Sequence, residues 1–249
     1  MQLWGDYHTH TSYSHGRGTV ADMVLAAKER GLKEVAITDH GPGHLFGVGI
    51  AHLGVVDRIK EEAKLWEDRT GIRVLVGLEA NIIDLDGHLD VDDNTIARLD
   101  ILLAGLHNWV WPGNWPSLWH FYGKIPLARR LRSLKVRQTN TQALVKAVAR
   151  HSVAFITHPG LHMDIDTHLL ARECQKYGTA LEINTSHNHT TVEYIKVAAS
   201  TGVDFVISSD AHDPRRVGDF AKGVELARGA GLRPERILNT RPSWEGKRP

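Results

Sequence analysis

Seven short apolar runs, each followed by an amphipathic stretch, constrain the fold of this chain more than any other feature. The runs cover Gln2 to Tyr7, Glu34 to Thr38, Arg73 to Leu78, Ile101 to Leu106, Ala154 to Thr157, Ala180 to Ile183 and Phe205 to Ser208. Several are apolar throughout, the pattern of parallel strands buried on both faces. The stretches between them predict helices over Val20 to Arg30, Gly54 to Arg69, Asn94 to Leu99, Thr141 to Arg150, Thr167 to Tyr177, Thr191 to Ser200 and Phe220 to Gly229. In the first, Val20, Met23, Val24 and Ala27 recur at helical spacing. Gly31, Gly71, Gly178 and Gly202 stand where helices should stop. Such alternation produces right-handed crossovers and a parallel sheet. Seven units predict an α/β fold, a TIM-like (βα)7 barrel, with an open doubly wound sheet as the alternative. With 249 residues and no repeat or linker, one domain is expected over 1–249.

One segment breaks the alternation. From Asn108 to Gln138 no clear strand or long helix is expected, and loops of that length are usually functional or disordered. It holds Trp109, Trp111, Trp115 and Trp119, and then a basic run of Arg129, Arg130, Arg132, Lys135 and Arg137. The tryptophans are expected to form a lid or a subunit contact, in preference to a platform for stacking bases.

The chain carries 16 histidines, more than its Phe, Tyr and Met together. Strand one ends in His8 and His10, with His15 close behind; strand two ends in Asp39-His40. Strand three ends in Glu79, strand four in His107, strand five in His158 and strand seven in Asp210-Ala211-His212. Strand six ends in Asn184 instead. In a parallel barrel these positions share the C-terminal mouth, where active sites of this architecture lie. So many imidazoles and carboxylates in one bowl would be costly without cations. Neutral imidazole and carboxylate suit Zn, Mn or Fe, so two to three divalent ions are expected. His8 and His10, two apart on a strand end, point the same way, and a carboxylate such as Glu79 can bridge two ions. The other histidines are read mostly as surface or loop residues, with His44, His162 and His187 in loops on the mouth. The lone Cys174 excludes an internal disulfide framework and cysteine zinc sites. A net charge of +1 gives no global field for nucleic acid. With no signal-peptide pattern at Met1 to His10 and no run of eighteen apolar residues, a cytoplasmic chain without a membrane partner is expected.

These residues resemble the PHP (polymerase and histidinol phosphatase) superfamily. The matching motifs are Asp6-Tyr7-His8-Thr9-His10-Thr11 with His15, Thr38-Asp39-His40-Gly41, Gly77-Leu78-Glu79, Gly105-Leu106-His107, Thr157-His158-Pro159-Gly160 and Ser209-Asp210-Ala211-His212. The stretch Thr139-Asn140-Thr141 is similar to the compact single-domain phosphoesterases of that group. The resemblance implies a distorted (βα)7 barrel with a trinuclear centre at its C-terminal face. It implies a first ion on His8, His10, Glu79 and Asp210, a second on Glu79, His107 and His158, and a third on His15, His40 and His212. The longer tryptophan segment after His107 departs from the compact members.

The expected activity is that of a metal-dependent phosphoesterase, most simply a phosphatase hydrolysing a phosphomonoester through a metal-bridging hydroxide. Glu79, Asp210, His212 and Asp39 are the residues expected to carry catalysis, Asp39 by orienting an imidazole. Arg17, Asn184, Arg129 and Arg130 are candidate substrate contacts. The expected partner is a small phosphorylated substrate, and a homo-oligomer is compatible with the sequence. A phosphodiesterase or 3′-exonuclease acting on nucleic acid is the alternative, as is a histidinol-phosphatase. A C–N hydrolase is disfavoured because no strand ends in lysine, and a metal-stabilised scaffold because nine ligands for three ions leave coordination open.

Overall fold

The computed structural model describes residues 1–124, 133–242 and 244. Seven parallel strands run in chain order: β1 (Gly5–Asp6), β2 (Glu34–Ile37), β3 (Arg73–Asn81), β4 (Ile101–Gly105), β5 (Phe155–Ile156), β6 (Ala180–Asn184) and β7 (Phe205–Ser208). Between them lie α1 (Val20–Glu29), α2 (Val55–Thr70), α3 (Asp93–Ile96), α4 (Trp115–Leu118), α5 (Leu134–Arg150), α6 (Thr167–Tyr177) and α7 (Val192–Ala199), with α8 (Ala221–Gly229) after β7. The expected strands and helices are all present, in a nearly closed barrel.

Local chemistry sets the element ends. Thr19 caps α1 and exchanges hydrogen bonds with Asp22, a reciprocal pair that satisfies orphan amides of the first turn. Gly71 and Gly178 close α2 and α6 in the left-handed conformation that other residues adopt only at a cost. In the sheet, β3 pairs with β4 over five residues, from Gly77 opposite Ile101 to Asn81 opposite Gly105. That register carries β3 past the predicted end at Leu78 and sets Glu79 inside the strand.

Alternation then divides the core in two. Ala36, Leu75, Ile101, Leu103, Phe155, Ala180 and Val206 fill the barrel interior with Tyr7 and Trp244. Their sequence neighbours pack outward against the helices. Glu79 shares the parity of Leu75, and Glu182 and Asn184 share that of Ala180, so their side chains belong to the interior face.

β7 and β1 share no ladder, and the barrel is joined there by other means. At the mouth, Thr9 and Ala211 form a bridge, with His10 N donating to Ala211 O at 2.9 Å. At the floor, Asn239 spans the gap: its Nδ2 donates to Gly5 O at 3.0 Å and Ile207 O at 2.8 Å, and its Oδ1 accepts from Ile207 N at 3.2 Å. Trp244 plugs the same end, 4.6 Å from the Tyr7 ring, with its amide on Glu34.

Candidate metal centre

Every ligand candidate arrives from the C-terminal end of a strand or the loop after it. His8, His10, Glu79, His158 and Asp210 are buried, as is most of His40. His107 and His212 are half-buried, and His15 sits on the exposed rim.

Glu79 lies at the centre and its two oxygens face different sets of imidazoles. Oε2 lies 2.9 Å from His40 Nδ1, 3.2 Å from His8 Nε2 and 3.6 Å from His10 Nε2. Oε1 lies 2.9 Å from His158 Nε2 and 3.1 Å from His107 Nε2. Asp210 Oδ1 is 3.4 Å from His10 Nε2 and 3.7 Å from His8 Nε2. Three groups of donor atoms converge within 4.8 Å: His8, His10 and Asp210; His40, Glu79 and His107; and His10, His40 and His212. The His15 ring lies 4.3 Å from that of His212 and 5.0 Å from that of His40.

The contacts fit cations better than they fit one another. Glu79 Oε2 is buried and accepts no hydrogen bond despite three nitrogens close by. Two pairs of ring nitrogens meet head-on, His8 with His10 at 3.0 Å and His107 with His158 at 3.2 Å. Neutral imidazoles bearing lone pairs at these atoms repel, whereas ligands directed at a common ion bring such atoms together. Burial and the neighbouring His212 and His40 push His10 well below its ordinary pKa, and burial holds His40 at about 3. Burial opposes ionisation of Glu79 and Asp210, yet the imidazoles around them prevail and hold both carboxyls well below the usual range. The same carboxylates overcome burial at His8 and His158 and push both rings above the ordinary imidazole value, so these imidazoles and ionised carboxylates share protons in the space a divalent ion would fill.

The backbone is unusual at two of these residues. His158 has φ of 26° and Asp210 of 51°, in the left-handed region that non-glycine residues seldom adopt. Strain of this kind persists where surrounding contacts over-determine it. His158 N donates to Glu182 Oε2 at 2.5 Å, and Asn184 Nδ2 donates to Asp210 Oδ2 at 3.0 Å.

The substrate side is a bowl of about 370 Å³. His44, His162 and His187 line it beside the ligands, with Val48, Leu106 and Leu161 as apolar wall. Trp109 stands at its edge, 6.0 Å from both Phe46 and Tyr122. The loop 43–47 pairs with 109–111 through Leu45 N to Trp109 O at 2.7 Å and Trp111 N to Gly43 O at 2.9 Å. Trp109, Trp111, Trp115 and Trp119 are 57 to 81 % exposed, and of the four Trp109 alone lines the bowl. His120, one of the histidines expected mostly at the surface or in loops, is buried with its Nε2 2.7 Å from Asn140 Oδ1.

Several expected roles are corrected. Asp39 contacts no imidazole: it accepts from Thr11 N, Thr11 Oγ1 and Ser14 Oγ at 2.5 to 2.7 Å and so braces the loop between His10 and His15. Asn184 is fully buried, with Nδ2 donating to Glu182 and Asp210 and Oδ1 accepting from two amides, so it has nothing left for a substrate. Arg17 is exposed and is not among the residues lining the bowl. Arg129 and Arg130 lie outside the described residues. Of the basic run, Arg137 is committed to Ile165 O at 2.9 Å.

Glu182 was not expected. It is fully buried in β6, with Oε1 2.7 Å from His8 Nδ1. Its signal was an acid two residues from each end of the apolar run Ala180-Leu181-Glu182-Ile183-Asn184, on the same parity as interior Ala180.

The comparisons agree with this architecture. The model of the PHP domain matches residues 6–212, and the chain belongs to that family. A relative from Shewanella sediminis (strain HAW-EB3), named a probable phosphatase, is 33% identical over 255 residues, covering 97% of this chain and 92% of its own. One from Thermoanaerobacter sp. (strain X514) with the same designation is 31% identical over 252 residues, covering 96% and 91%. Among solved structures, the histidinol phosphate phosphatase of Lactococcus lactis, complexed with zinc, L-histidinol and phosphate, superposes with a TM-score of 0.61. It is 14% identical, covering 93% of this chain and 95% of its own, and shares the fold. The chain is thus a PHP-domain enzyme, a metal-dependent hydrolase of phosphoric esters. Among the described residues no helix is long and apolar enough to cross a membrane.

Proposed function

We propose that the protein is a phosphatase that hydrolyses a small phosphomonoester at a centre of three divalent ions. The observation that carries this reading is the division of Glu79, whose two oxygens serve separate imidazole sets. His8, His10, Glu79 and Asp210 would hold the first ion, Glu79, His107 and His158 the second, and His15, His40 and His212 the third. Zinc, manganese and iron all suit this nitrogen and oxygen set. When bound, such ions supply Lewis acidity towards phosphoryl oxygens and an activated water.

The chain's own residues do the rest. Neutral His10 and His40 keep lone pairs available at pH 7, and ionised Glu79 and Asp210 balance the cations' charge. Asp39 fixes the loop that carries His15 to the rim. The apolar wall and Trp109 narrow the approach and exclude water from one side of the ester. No Lys or Arg among the described residues lines the bowl. A nucleic-acid strand is normally tracked by such cations, so this lining supports a small ester over a polynucleotide. The exposed tryptophans are read as a lid or a contact surface, with Trp109 at the bowl.

The test is a screen of purified, metal-analysed protein against phosphomonoesters, histidinol phosphate among them, phosphodiesters and single-stranded DNA. Hydrolysis of monoesters well above the other two classes is expected. Preferential cleavage of DNA or diesters would overturn the choice of substrate.

A further inference from the structure

Resting on the metal-centre reading above, we propose that Glu182 is a positioning residue that, with Asn184, aims ligands from three other strands at the first two ions. A carboxylate inside a barrel core costs several kcal/mol unless it is matched, and nothing in the packing of Leu181 and Ile183 calls for one. Every hydrogen bond of Glu182 leads to the metal centre. Oε1 takes His8 Nδ1 at 2.7 Å, while the opposite nitrogen of that ring faces Glu79 and His10. A proton on Nδ1, donated to Glu182, leaves the Nε2 lone pair for an ion. Oε2 takes the amide of His158 at 2.5 Å and so secures the positive φ that turns this ring towards Glu79. The same oxygen accepts from Asn184 Nδ2 at 3.1 Å, which also donates to Asp210 Oδ2 at 3.0 Å.

His8 belongs to the strand-one end, His158 to strand five and Asp210 to strand seven. One strand between them, β6, supplies no ligand in the proposed sets and instead holds three ligands in place. Glu182 and Asn184 make no hydrogen bond to His15, His40 or His212, so the arrangement is specific to the first two ions.

Glu182→Ala and Glu182→Gln separate positioning from mere core filling. Full-length protein is loaded with zinc, dialysed against a chromophoric chelator and analysed for metal content. The Glu182→Ala protein should retain the ion on His15, His40 and His212 but release the other two at about 10- to 100-fold lower chelator concentration. Glu182→Gln, whose amide oxygen can still accept from His8 Nδ1, should recover most of the His8-dependent affinity. In imidazole nitrogen NMR spectra of the zinc-saturated protein, the His8 Nδ1–H proton should lose its protection from solvent exchange in the Ala variant and keep it in the Gln variant. Wild-type retention of all ions by both variants would overturn the proposal, as would parallel loss of all three ions. A Glu79→Ala control keeps the two readings apart. If that control also keeps wild-type metal and hydrolysis, the metal-centre reading fails. If it loses them while the Glu182 variants do not, only the present inference fails.

Discussion

At the residue scale, space around the ligands is as constrained as their chemistry. A Cβ on Gly105 would come within 2.9 Å of His107 Cε1 and 2.4 Å of Thr157 Oγ1, so the ligand proposed at the end of strand four depends on a side chain that is absent. Gly105→Ala is expected to displace the His107 ring and cut affinity for one ion about 10- to 100-fold, read by chelator competition with the others retained. The ligand candidates were legible in the sequence because apolar runs stop where strands meet the mouth, and the residues after the stop are His, Glu or Asp. Glu182 escaped that logic because it lies within a run and its partner His8 is 174 residues away. Asn184 misled for the opposite reason. It stands at a strand end like a ligand, but every polar atom it has is bound within the protein. Asp39 sits beside His40 in sequence, yet it contacts the loop from Thr11 to Ser14, because adjacent residues on an extended chain point to opposite sides.

At the element scale, the largest departures fall in the segment after β4. Helix α5 begins at Leu134, seven residues before the predicted start at Thr141. Its first turns read Leu-Lys-Val-Arg-Gln, whose exposed Leu134 and cations hide the helical period. The tryptophan segment folds as α4 and a π-helical turn, tied down by His120 to Asn140, Leu85 N to Ser117 Oγ at 3.1 Å, and Tyr122 to Val110 O at 2.5 Å. No periodic signal announces such an element, because its anchors are polar and its large apolar side chains face outward. Trp109→Ala should raise KM for a preferred ester by about 2- to 10-fold, the worth of one aromatic contact, with metal content unchanged. Steady-state kinetics on metal-analysed protein checks this, and loss of metal would make the segment part of the centre's support. Asn140→Ala removes the His120 anchor and is expected to expose the segment to limited proteolysis before the barrel is cut.

At the scale of the whole molecule, seven strands leave a gap between β1 and β7, and residues beyond α8 complete the floor. Alternation predicted the parallel barrel, but the sequence after Gly229 offered no period to show that Asn239 and Trp244 would return to it. Asn239 makes hydrogen bonds to both β1 and β7, and Trp244 packs 4.6 Å from Tyr7 and 6.2 Å from Phe155. Trp244→Ala should destabilise the fold by about 3–5 kcal/mol, the cost of emptying a large aromatic site. Urea unfolding would report this, while metal stoichiometry at low denaturant stays at the wild-type value because the floor lies at the end of the barrel opposite the ligands. The metal centre works at the other end of the same barrel, where its ions bind only the folded arrangement. Chelation should therefore lower the melting temperature as well as abolish hydrolysis, and readdition of zinc or manganese should restore both. The most direct test of the central claim is the metal content of Glu79→Gln, measured with phosphomonoester hydrolysis on the same sample. A neutral amide cannot balance two cations as the proposed bridging carboxylate would. Glu79→Gln should lose at least two of the three proposed ions and hydrolysis together. Full stoichiometry with wild-type turnover, or turnover in the metal-depleted variant, would contradict it.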